Sequence, residues 1–376
     1  MIKIDWYDSD IRAKYHTVLL KYLPSDMVWH GDNKTSQYRI KTDLLLCGKR
    51  SDVLSCKYME LYKNLCIIIS SKSKKYRKKE LNKLLNDPSC SSFFTNNYSQ
   101  YTNGVNNIKD DNIIDDLISA INKNMKAAME AIYREIKIKS KKTVTSLYAL
   151  LTPALRAELL ASLGVECCPY CNRQYITAYY KTPKSKRATP TADIDHFYNK
   201  SKFPLFALSL FNFIPACQVC NSRLKGTKWL DALYPFEEEF GDDAVFSYDF
   251  DKMDSDGHTK ALTHISPVPI PLRLDINSRS QNTKHIKNSN ELFGLERIYQ
   301  GHRLYAGELF WKKHMYNAEY IKSVQKLFSG NDNSKLTESN LYLLLYGYIF
   351  DQEHQYDVNR PLSKLTYDLI FRDKSI

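Results

Sequence analysis

Most of the side chains that could do chemistry in this chain lie between residues 168 and 221. Cys168-Pro-Tyr-Cys171 and Cys217-Gln-Val-Cys220 are two C-x-x-C pairs. Each pair can set two thiolates on one side of a turn, and two such turns complete a closed tetrahedral zinc site. A single pair would leave a redox turn open; two pairs point to structural zinc, with two disulfides as the rival. Cys167 adjoins the first pair and could replace Cys168, although the tight turn favours Cys168. Between the pairs stands "DIDHFYNKSKFPLFALSLFNFIPA". Asp193, Asp195 and His196 call for water or a metal, the run from Phe203 to Ile214 calls for a core, and Asn212 sits inside that run.

The elements around these residues can be read from pattern. "TADIDHF" reads as a strand reaching a polar end, and "QVCNSRLKG" has helical spacing, so the cysteine pairs clamp a strand–loop–strand–helix unit. Alternation would put Asp195 and His196 on opposite faces of a regular strand, with Asp193 on the face of Asp195. A unit this small needs metal to supply much of its folding energy. On its N-terminal side, residues 70–83 read as an exposed basic helix and 86–107 as a long polar loop. Ile114, Leu117, Ile118, Ile121, Met125, Met129, Ile132 and Ile136 space a long amphipathic helix over 111–138. A second helix over 146–164 stops at Gly164, with Pro153 as a candidate split. On the C-terminal side, 290–328 and 337–355 read as helices and 269–276 as a strand. The expected organisation is therefore a mainly helical region (1–144), a cysteine-bearing core (145–236) and a second mainly helical region (237–376), an α+β fold.

In combination, C-x-x-C, Asp-His followed closely by Lys200-Ser201, then Asn212, then C-x-x-C-Asn221-x-x-x-Lys225-Gly resembles the HNH endonucleases of the ββα-metal fold. The resemblance covers about residues 165–230, roughly a sixth of the chain. In its fuller form it is most similar to HNH nucleases of bacterial anti-phage systems, the Septu type among them. It implies a general base at His196 and a catalytic Mg²⁺ or Mn²⁺ held by Asp195 and Asn221. It also implies an Asn212 that braces the histidine loop and a structural Zn²⁺ on Cys168, Cys171, Cys217 and Cys220. The chemistry suits these types: an imidazole near neutral pKa can deprotonate water, and a hard cation with few protein ligands leaves room for a phosphate. Asp193 is a spare carboxylate, either a neighbour of the metal or a partner of the nearby loop. Lys225, Arg223 and Lys200 are candidate phosphate contacts, as are Lys181, Lys184, Lys186 and Arg187 in a loop insertion. Relatives commonly carry proline where this chain has Asn199, which bears on the geometry of the loop.

Composition agrees with a nucleic-acid partner. Lys and Arg number 54 against 42 acidic residues, a net charge of 54 − 42 = +12, which favours polyanions, nucleic acid ahead of membrane surfaces; the resemblance to HNH nucleases implies DNA ahead of RNA. A hydrophobic share of 43% excludes a wholly disordered chain. The N-terminus lacks a signal-peptide pattern and "LYLLLYGYIF" is too short to span a membrane. These features lead to a cytoplasmic expectation with reduced thiols. The roughly 300 residues outside the resemblance suit substrate choice or docking to an ATPase or sensor subunit. The competing reading is a zinc-stapled binding subunit that does not cut.

Overall fold

The strand expected from "TADIDHF" spans Asp193–His196 and pairs antiparallel with Phe213–Ala216, placing Asp193 opposite Ala216 and His196 opposite Phe213. A wide, π-helical segment follows at Val219–Lys225. The structure is a computed structural model that describes residues 1–372 apart from 24, 31–36, 57, 103–107, 134, 139–142, 181–187, 264–265, 328–337 and 349–358. Among the described residues, β-structure is confined to two-stranded antiparallel pairs, and helices dominate both flanks. The fold is α+β.

The greasy run owes its docking to apolar packing and to tyrosines. Phe203, Phe206, Phe211 and Phe213 are fully buried. Tyr7 donates to Phe213 O (3.0 Å), Tyr15 to Leu208 O (2.5 Å) and Tyr234 to Phe211 O (2.6 Å), while the Tyr62 hydroxyl accepts from Leu205 N (2.9 Å). A buried irregular loop must satisfy its backbone polar groups away from water. Tyrosine suits this, because its ring fills the core while its hydroxyl reaches a carbonyl. Through these contacts one apolar core runs from Met1 to Ile370. The three regions read from the sequence thus divide the chain but share a core.

Several elements differ from expectation. The polar stretch after the basic helix is a helix itself, Pro88–Thr102, kinked at Tyr98. Asp87 accepts from Ser89 N at its start, and Cys90, Phe93, Phe94 and Tyr98 bury one face. Its apolar spacing was hidden among Ser, Asn and Thr. The basic helix, Lys74–Asn86, lies against the acidic start of the Asp111–Tyr133 helix, through Lys74–Asp115 (2.9 Å), Arg77–Asp115 (3.2 Å) and Lys78–Asp111 (2.7 Å). Ile114, Leu117, Ile118 and Ile121 are buried as the periodicity requires, but the helix ends early and Glu135–Ile138 is a strand. The side chains of Met125, Met129, Ile132 and Ile136 lie outside the described residues, as does Thr337. Pro153 opens its helix instead of splitting it: Thr152 caps Leu155 N, and proline suits the first turn, where its missing N–H costs nothing. The long C-terminal pattern is broken into Thr283–Phe293, Leu295–Tyr299, Arg303–Met315 and Ala318–Leu327. The first break falls at Gly294, whose φ of +56° suits glycine. The expected strand near 269–276 forms at Leu272–Ile276, paired with Ala244–Tyr248.

Candidate metal centre and cleft

Cys168, Cys171, Cys217 and Cys220 are buried, and their sulfurs all lie within 4.8 Å of one another. Cys171 Sγ and Cys217 Sγ are 3.9 Å apart. Zn–S bonds of about 2.3 Å in a tetrahedron set sulfurs roughly 3.8 Å apart, whereas a disulfide needs about 2.05 Å. The donor set therefore fits zinc and not a disulfide. The N–H of Cys217 points at Cys168 Sγ and that of Cys220 at Cys217 Sγ, both at 3.4 Å. Hydrogen bonds from Cys168, Cys171 and Cys220 pull the Cys217 thiol down, while burial pushes Cys168 up. Four thiols packed this way cannot all ionise without a cation, which inverts that balance. Cys167 stays outside the cluster, its thiol pushed up to about 12 by burial.

The first zinc turn is anchored from afar. Asn172, at φ +48°, presents Oδ1 to Lys364 N (3.0 Å) and donates to Arg360 O (3.0 Å). Tyr299 donates to Cys171 O at 2.7 Å. Tyr170 stacks on Phe293, centroids 4.3 Å apart, and its hydroxyl donates to Asp195 Oδ2 at 2.7 Å. Burial first, and Asp195 next, push the Tyr170 phenol up, so it remains a donor.

Beside this unit is a cleft of about 270 Å³ lined by Asp193, Ile194, His196, Phe213, Asn221 and Ser222, with Leu151 and Arg156. His196 Nε2 lies 3.1 Å from Ala207 O, and the ring stands edge-on to Phe213 at 5.2 Å. A carbonyl only accepts, so Nε2 carries the proton and Nδ1 is the basic nitrogen. Burial pushes the imidazole down to about 4, outweighing Ala207 and Asp195, so it is neutral near pH 7 but a weaker base than the near-neutral imidazole expected from the sequence.

Asn212 is fully buried and braces the loop. Its Oδ1 accepts from Tyr198 N (2.6 Å), and its Nδ2 donates to Tyr198 O and Phe206 O (both 2.9 Å). An amide in a greasy run is stable only with partners like these. Asn199 fixes the next turn by accepting from Ser201 N at 2.9 Å.

Two expected placements change. Asn221 meets Asp193, not Asp195: its Nδ2 donates to Asp193 Oδ2 at 3.1 Å on the cleft wall. Asp195 is buried, held by Tyr170 and by Lys225 Nζ at 2.8 Å. Asn221 and Lys225 are about one helical turn apart, so they reach two carboxylates spaced two residues along one strand face. Lys225 is therefore an interior cation, not an exposed phosphate contact. Arg223 and Lys200 are exposed as expected, whereas Lys181, Lys184, Lys186 and Arg187 lie outside the described residues. Arg156, on the Pro153–Ser162 helix, was missed; one arginine on a helix face carries no local signal, and only the fold brings it to the cleft that His196 lines.

No protein-family model, no curated protein and no solved structure matches the chain.

Proposed function

We propose that this chain is a metal-dependent endonuclease of the HNH type that hydrolyses phosphodiester bonds, DNA ahead of RNA. The observation that carries the reading is His196, neutral and with Nε2 fixed by Ala207 O, in the same cleft as the Asp193–Asn221 pair and Arg156. Asn221 could turn its amide oxygen to a cation beside Asp193, a hard donor set that fits Mg²⁺ or Mn²⁺ with room for a phosphate. When bound, such a cation would neutralise phosphate charge and ease departure of the leaving oxygen. His196 Nδ1 takes a proton from water, the resulting hydroxide attacks phosphorus, and the P–O bond to the leaving sugar oxygen breaks. That oxygen takes its proton from solvent. Arg156 offers a guanidinium to the phosphate, and Arg223 and Lys200 extend a basic path outward. Zinc holds the hairpin and helix together, and the +12 charge supports a polyanionic substrate.

The assignment to anti-phage defence, and to action beside an ATPase or sensor subunit in the cytoplasm, rests on the resemblance in sequence. Among the described residues, no helix is long and apolar enough to cross a membrane. A non-cleaving, zinc-stapled nucleic-acid-binding subunit is favoured by one observation, the capture of Asp195 by Lys225 and Tyr170.

The full chain with Mg²⁺ or Mn²⁺ is expected to nick or cut plasmid DNA, and His196→Ala to abolish this while zinc stays bound. Full activity in His196→Ala would reject the base. Loss of Mn²⁺ affinity in Asp193→Asn with retention in Asp195→Asn would assign the carboxylate to Asp193; the reverse would return it to Asp195. Zinc-loaded protein that binds DNA without cutting it, alone or with copurified partners, would favour the binding subunit.

A further inference from the structure

The backbone at His196 has a side that the partner strand does not pair. Phe197 N donates to Asn212 O at 2.9 Å. In a trans peptide the preceding carbonyl points the opposite way, so His196 O faces away from the Phe213–Ala216 strand. This sheet is two-stranded, and among the described residues no strand receives that carbonyl. Lys225 Nζ does, at 2.6 Å, while also holding Asp195 Oδ1 at 2.8 Å. The other oxygen of Asp195 is held by Tyr170. Tyr170 lies between Cys168 and Cys171, and Lys225 lies on the helical segment that contains Cys220. One donor thus hangs from each cysteine pair, and the two meet on the residue before His196.

We infer that Tyr170 and Lys225 are positioning residues that transmit the geometry of the zinc turns to the backbone of His196. The inference rests on the nuclease reading for its consequence in catalysis, but its geometry stands apart from that reading. Binding of zinc brings the two donors to one carboxylate. Their bonds then fix the Asp195 side chain and the His196 carbonyl, and through them the point from which the imidazole enters the cleft. Misplacement of a reacting group by about 1 Å can cost a hundredfold in rate, so small slack at this strand end is enough to matter.

The test compares Tyr170→Phe with Tyr299→Phe in the full-length, zinc-loaded protein. Tyr299 is also a buried tyrosine that reaches the first cysteine turn, from the Leu295–Tyr299 helix, bonded to Cys171 O but not to Asp195. Tyr170→Phe is expected to lower kcat about 10- to 100-fold with KM unchanged and to shift the His196 ring resonances, assigned by their absence from His196→Gln. Tyr299→Phe should leave those resonances and kcat close to wild type. Lys225→Met should behave as Tyr170→Phe does if it folds, and Tyr170→Phe decides the matter if it does not. Equal behaviour of the two tyrosine variants, in rate and in the His196 resonances, would overturn the inference. If the wild type cleaves nothing, the nuclease reading fails and the resonances alone decide the wiring: a shift confined to Tyr170→Phe supports it, and no shift rejects it.

Discussion

Among the described residues two lysine–aspartate pairs are buried, and they are built alike. Lys225 and Asp195 are 2% and 3% exposed; Lys364 and Asp368 are 1% and 0% exposed. Each lysine also donates to a main-chain carbonyl, Lys225 to His196 O and Lys364 to Ala244 O. Each aspartate has a further donor, Tyr170 OH for Asp195 and Phe246 N for Asp368. The difference is in how they are specified. Lys364 and Asp368 stand four residues apart on one helical stretch, so the helix itself makes the pair, which then clips the Ala244–Tyr248 strand. Lys225 and Asp195 are thirty residues apart and meet only when strand, helix and zinc turn have docked. Burial of two charges is costly unless every partner is in place. A non-local pair of this kind reports on assembly; a local one fastens its own neighbourhood.

The largest expected effect breaks the assembly on one side of that comparison only. Cys217→Ser should abolish stoichiometric zinc and remove hydrogen-exchange protection across about 165–226. Structural zinc supplies on the order of 10 kcal/mol or more of folding free energy in small zinc units. Protection around Lys364 and Ala244 should fall far less. Metal analysis and exchange mass spectrometry read both, and wild-type protein without zinc would reject the centre.

Next in size are the pairs themselves. Lys225→Met and Lys364→Met should each cost about 3–5 kcal/mol by leaving a buried carboxylate unpaired. Adding Asp195→Leu to the first and Asp368→Leu to the second should recover most of that, read from urea denaturation midpoints. The apolar pair at 364/368 should leave turnover in the proposed nuclease reaction close to wild type, whereas the apolar pair at 195/225 should not. Equal loss of turnover in both would reduce the Lys225 pair to a fold-stabilising role.

The same contrast explains what the sequence could disclose. The four-cysteine cluster was legible because C-x-x-C is a local spacing that makes half a metal site unaided, and Asn212 because an amide in an apolar run demands partners. The strand and the helical segment around the site were legible from alternation and spacing. Lys225 was misread because lysine is usually exposed, and nothing within thirty residues says that Asp195 waits for it in the interior. Asp193 and Asp195 share a strand face, so alternation alone could not say which of them Asn221 would reach. Arg156 comes to the cleft from a helix outside the patterned segment. The Pro88–Thr102 helix was missed because its buried Cys90, Phe93, Phe94 and Tyr98 are diluted by polar residues typical of loops.

A third charged cluster, only half-buried, should show the smallest effect and so calibrate the other two. His285 Nδ1 lies 2.9 Å from Glu238 and Nε2 lies 3.4 Å from Asp231, joining the Thr283–Phe293 helix to the segment after the zinc unit. The Asp231 and Glu238 carboxylates push the imidazole up to about 9 despite burial. A folded-state pKa above the ordinary value of about 6.5 means that the folded protein holds this proton more tightly than the unfolded chain. The stabilisation is therefore complete below about pH 6.5 and is lost as pH rises through about 9. Solvent screening at a half-exposed site reduces it to roughly 1 kcal/mol. Urea midpoints should accordingly fall between pH 6.5 and 9.5, and His285→Gln should flatten that fall while leaving zinc content unchanged. An equal slope in His285→Gln would place the pH dependence elsewhere, and a loss as large as that of Lys225→Met would erase the distinction between exposed and buried pairs.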